Sequence, residues 1–196
     1  MGLANLAYSL RTHFERLGEL SDLEEAISRL QNAVELIPDG DPRKPESLAN
    51  LGRCFKARFH RLGELSDLEE AISRHRKAVD LIPGSHPNKP TSLSDLGLCL
   101  QARFRRLGEL SDLEEAISRH KNALDLIPDG HPAKPEHLNH LGHCLRVRFE
   151  RVGELSDLEE AISRQRDIVH LIPDGSPNNP VCLANLAYSV SSASGS

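Results

Sequence analysis

The chain has 196 residues, a formal net charge of -5, four cysteines, no Trp, and only 4% aromatic residues. Leu, Ala and Ile must therefore fill its core, and the mild acidity excludes a general nucleic-acid binder. No apolar run approaches the roughly 20 residues that cross a bilayer, residues 1–5 lack the basic and apolar regions of a secretory leader, and the cysteines are too sparse for a disulfide scaffold, so a cytoplasmic protein is expected.

In chain order, the first expected element is a helix from Leu3 to about Leu17. The string that follows it, Gly-Glu-Leu-Ser-Asp-Leu-Glu-Glu-Ala-Ile-Ser-Arg, begins at Gly18 and returns at Gly63, Gly108 and Gly153, always 45 residues on. Pro38, Pro83, Pro128 and Pro173 keep the same period. Residues 46–90 and 91–135 match at 32 of 45 positions when compared one by one. A period of that size marks an array of like units, and local chemistry decides which kind.

That chemistry is helical. Leu48, Leu51, Gly52, Phe55 and Phe59 recur at spacings of three and four, which is one face of a helix. Gly63 stands where a left-handed terminating residue belongs. Ser66-Asp67-Leu68-Glu69 has the form of a capping box opening a second helix. That helix carries Leu68, Ala71, Ile72, Val79 and Ile82 inward and stops at Pro83. A turn-rich loop follows, with Pro90 placed to open the next unit. The units are 1–45, 46–90, 91–135 and 136–180, then a half unit at 181–190 and a small polar tail, expected to be disordered, at 191–196. Nine helices, or four and a half units, are expected. Leu3-Ala4-Asn5-Leu6-Ala7-Tyr8-Ser9 returns as residues 183–189, so the chain reads as a stretch of a longer array with matching ends.

The placement of Leu48, Leu51, Gly52 and Phe55, then Ala71, Ala78 and Pro83, resembles the tetratricopeptide (TPR) repeat family. The third unit repeats it with Leu93, Leu96, Gly97, Leu100, Ala116, Ala123 and Pro128. The unit is longer than the family's usual length of about 34 residues. In this it is similar to the long repeats of large fungal multidomain proteins. The large apolar place between the two alanines is held by Leu30, His75, His120 and Gln165, so only the first unit fills it as the family does. The resemblance implies an all-α, right-handed α-solenoid of helix–turn–helix units, its first helices lining a concave groove.

On that geometry three columns of the first helix face the groove and vary between copies. They are Ala4, Ala49, Ser94 and Asn139; Tyr8, Arg53, Leu98 and His143; and Arg11, Lys56, Gln101 and Arg146. The expected partner-binding residues are Tyr8, Arg11, Arg53, Lys56, Asn139, His143 and Arg146. Half of the 24 Lys and Arg lie on first helices, whereas acids such as Asp22, Glu24 and Glu25 open the second helices. Helix dipoles and neighbouring ladders of opposite sign account for such segregation, and a basic groove that draws an acidic peptide accounts for it too.

Cys54, Cys99 and Cys144 share a column and read as small packing residues. His137, His140 and Cys144 share one helical face, without the fourth ligand or second shell of a metal centre. No phosphate loop, nucleophile elbow or His-Glu-x-x-His string occurs, so neither catalysis, cofactor nor metal is expected. The expected function is a protein–protein interaction scaffold that holds a peptide or partner protein in the groove. The alternative is a structural repeat that self-associates head to tail through its terminal helices.

Overall fold

The computed structural model describes residues 2–171, with side chains from residue 6 onward. It contains α1 (Gly2–Leu17), α2 (Leu20–Leu36), α3 (Arg43–Leu62), α4 (Leu65–Leu81), α5 (Lys89–Leu107), α6 (Leu110–Asp125), α7 (Lys134–Val152) and α8 (Leu155–Leu171). These make four helical hairpins in the expected register, with no strand among the described residues. The ninth helix expected at 181–190 and the tail at 191–196 lie outside the described residues, as does Cys182.

Each hairpin turns on one glycine. Gly18, Gly63, Gly108 and Gly153 have φ between 77° and 81°. Their N–H groups donate to the carbonyls of Phe14, Phe59, Phe104 and Phe149 at 2.7–2.8 Å. Open space surrounds each Cβ position, so the backbone angle, not crowding, calls for glycine there.

The capping box does not form. α4 already begins at Leu65, which places Ser66 inside it, and Glu64 is the cap residue with no side-chain capping bond. The same holds at Glu19 and Glu109. A two-residue link between the helices leaves no room for serine to precede the first turn. Asp67, second in the expected box, instead reaches back across the turn to Arg58, with Nε donating to Oδ2 at 2.9 Å and Nη2 to Oδ1 at 2.6 Å. Arg103–Asp112 and Arg148–Asp157 repeat this bidentate clasp, and His13–Asp22 holds the first unit at 2.6 Å.

Leu23, Leu48, Leu51, Leu68, Leu96, Leu113, Leu141 and Leu158 are fully buried between helices. Each contributes about 1.5–3 kcal/mol by leaving water. Helices touch their sequence neighbours, and α1, α3, α5 and α7 also touch one another in succession. Second helices are linked instead by long side chains, as in Arg76–Glu115 at 2.5 Å and Lys121–Glu160 at 2.8 Å. The first helices, which touch one another directly, therefore form the inner layer of the stack. Between units, Lys89 Nζ donates to the carbonyls of Val79 and Ile82 at 2.6 and 2.8 Å and so closes the C-terminal end of α4.

Candidate functional site on the first helices

The inner layer carries most of the side chains expected to line a groove, but many of them are engaged with one another. Tyr8 is 60% exposed, and the Arg11 guanidinium lies over its ring at 5.4 Å. Arg11 also pairs with Glu15, one turn further along α1. Arg53 crosses to the next unit, where Nε donates to Asp95 at 2.9 Å, and Nη1 donates to Asn50 at 3.0 Å. Arg146 pairs with Glu150 and lies 3.3 Å from Nδ1 of His143. Asn139 is exposed. Lys56 is half-buried and makes no ion pair among the described residues. The structure brings Tyr8 to Arg11 and His143 to Arg146, and it ties Arg53 to α5.

Three members of the variable columns are not surface at all. Ala49, Ser94 and Gln101 are buried, Ser94 against His120 of α6 and His140 of α7. The pairing acids Glu15, Asp95 and Glu150 were missed by sequence reasoning. Glu15 and Glu150 carried a signal, standing four residues after Arg11 and Arg146.

That spacing shows where positive charge is left over. The position pair reads Arg11 and Glu15 in the first unit, Lys56 and His60 in the second, Gln101 and Arg105 in the third, and Arg146 and Glu150 in the fourth. At this position pair the outer units neutralise themselves, whereas the two central units each offer a cation with no carboxylate four residues away. Arg105 is exposed and, like Lys56, makes no ion pair among the described residues. Burial and then the charges of Lys56 and Arg105 hold the His60 pKa below its ordinary value, so both cations act on one neighbourhood. A cleft of about 560 Å³ lies at the other end of these helices, lined by Pro45, Ala49, Arg53, Thr91 and Ser92 and by the loop carboxylates Asp39 and Asp41, so it is not part of this cationic neighbourhood.

Other chemistry-bearing side chains serve packing. Cys54, Cys99 and Cys144 are buried, and burial pushes their thiols up to about 11, 12 and 12. Such thiols are poor nucleophiles and poor ligands. Among the described residues, no three His, Cys, Asp or Glu side chains gather to hold a metal ion. His75 and His120 fill the large apolar place, with their rings against the backbone at Gly52 and Gly97. The first unit makes the same contact region from Leu30 and Ala7, both buried. No helix among the described residues is long and apolar enough to cross a membrane.

No family model matches the chain, and no curated protein does. Solved structures do. A Podosopora anserina protein of nearly identical TPR-like repeats, provisionally assigned as a kinesin light chain, is similar with a TM-score of 0.70 at 16% identity, over 97% of this chain and 88% of that one. A single-substitution variant of the same protein gives 0.71 at 15% identity, over 97% and 87%. A thermophilic TPR protein of Thermus thermophilus gives 0.62 at 17% identity, over 94% and 79%. At these identities the likeness is one of fold. The described chain has the helical-repeat fold of TPR-like proteins.

Proposed function

We propose that this chain is a protein-interaction scaffold whose concave face holds an extended, acidic segment of a partner protein. The observation that carries the reading is the pair of uncompensated cations, Lys56 and Arg105, on adjacent central helices, at positions where the outer units place the Arg11–Glu15 and Arg146–Glu150 pairs. Of the residues expected from sequence, Tyr8, Asn139 and His143 flank this centre as polar contacts. Arg11, Arg53 and Arg146 hold the acids that shape its walls. Long-range attraction to such a face speeds encounter and is screened by salt.

The test uses a fluorescein-labelled peptide of alternating Glu and Gly, followed by anisotropy at low and high salt. Lys56→Glu/Arg105→Glu should weaken binding at least tenfold, while the exposed, charge-matched control Arg61→Glu/Arg106→Glu leaves it unchanged. Equal losses in both variants would reduce the attraction to net charge and remove the groove from consideration.

A second reading, head-to-tail stacking of copies, is favoured by the outer face of α1. Leu6 is 38% exposed, whereas its counterparts Leu51, Leu96 and Leu141 are each 1% exposed beneath a preceding second helix. The occupant on this reading is the C-terminal end of a second copy.

A further inference from the structure

The third and fourth units meet across a cluster of histidines that no other pair of described units shares. Ser94 of α5 lies at the centre. Its hydroxyl oxygen is 3.5 Å from Nδ1 of His120 on α6 and 3.2 Å from Nδ1 of His140 on α7. The His120 and His140 rings stand 5.4 Å apart, and His137 lies edge-on to His140 at 6.4 Å. His120 is completely buried, and its Nε2 has no hydrogen-bond partner. It cannot swing away, because its ring is wedged against Gly97, where even a Cβ would come within 2.7 Å.

One serine proton is shared between two imidazoles. The arrangement is satisfied when both rings are neutral, one presenting N–H to the oxygen and the other accepting the hydroxyl. We propose that this seam is an acid-opened joint, which uncouples α7 and α8 from the preceding units as the pH falls below about 6.

The charges around each ring set the order of events. His140 faces Glu136 and Asp95 but also His137 and Lys56, and His137 faces Glu136, Asp95 and His131. The nearby carboxylates let these two rings take protons first. His120 then lies beside new cations, since its charged and titratable neighbours are His140, His137 and Lys56, with no carboxylate among them. The equivalent ring one unit earlier is placed differently. His75 faces Asp95 together with Arg53 and Lys56, so a carboxylate offsets its protonation.

Burial holds His120 down to about 3 and lowers His137 and His140 as well. Each therefore favours its neutral form in the closed seam and takes a proton more readily in the open one. Their stabilisation is complete above the unfolded value of about 6.5 and is lost as pH falls toward the folded value. Between pH 7.5 and 5.5 a ring held as low as His120 raises the opening constant by about tenfold, and His137 and His140 push it in the same direction. The inference does not depend on what occupies the groove.

Hydrogen exchange of the full chain at pH 7.5 and 5.5, corrected for intrinsic exchange rates, tests it. Opening of α7 and α8 should rise severalfold more than opening of α3 and α4, which contain His75 alone as a completely buried histidine. His137→Ser/His140→Asn, which installs the residues of Ser47 and Asn50, should abolish that excess. Equal rises in the two regions of the wild type would overturn the proposal, as would an excess that survives in the variant. If the variant fails to fold, the wild-type ratio decides alone.

Discussion

A single pair of residues explains the most irregular column of the sequence. Histidine is an odd choice for the large apolar place of a helical hairpin, and Gln165 is odder still. The ring is tolerated because the facing residue lacks a side chain: Nε2 of His75 would lie 2.7 Å from a Cβ at Gly52. Gly52→Ala should destabilise the chain by about 1–3 kcal/mol through overpacking, despite alanine's better helix propensity. Adding His75→Leu, which recreates the Ala7–Leu30 pair, should recover most of the loss. Urea denaturation of the wild type and the two variants checks both statements. At the fourth unit the same argument weakens, since Gly142 has only ordinary contacts, with Ala161 at 3.7 Å and Arg164 at 3.8 Å.

Among the elements, the hairpin is the unit of stability, and its strongest polar tie is the clasp across the turn. Asp67 is buried, and Arg58 keeps a quarter of its side chain in water, with its guanidinium 5.4 Å from the Phe55 ring. Asp67→Asn should cost about 1.5–3 kcal/mol, in the range for hydrogen bonds to charged groups. Asp22→Asn should cost under about 1 kcal/mol, because its partner His13 is half exposed. Chemical denaturation of the two variants side by side measures the difference. The acid in question was visible in the sequence, yet it was assigned to a cap. Serine, aspartate and glutamate near a helix start satisfy the capping pattern whether or not the backbone places the serine first. The spacing of nine residues from Arg58, Arg103 and Arg148 to the following Asp held the correct answer, but only with the turn length known.

For the molecule as a whole, the helices, their order and their glycine turns were legible because each rests on local chemistry repeated four times. The candidate site was legible only in outline. A 45-residue period says which side chains share a column, but not that Arg53 reaches Asp95 in the next unit or that Ser94 and Gln101 are covered. Those facts depend on how closely successive first helices approach. Assembly belongs to this scale as well. Stacking of copies through the outer face of α1 requires a scattering mass that climbs with concentration and returns toward 21.7 kDa in Leu6→Lys. A mass constant at that value over a wide concentration range removes stacking and leaves the groove.

The two sides of the stack are joined by different materials. Inside, successive first helices touch directly, backbone near backbone. Outside, Glu115 and Glu160 each hold an arginine of their own helix and a cation of the unit before. Packed backbones resist being pulled apart, while ion pairs on flexible stems lengthen by changing rotamer and weaken with salt. The array is therefore stiff along its inner edge and compliant along its outer one, like a leaf spring. Its curvature is an adjustable property, and a ligand that fits one degree of bend selects that bend at little elastic cost.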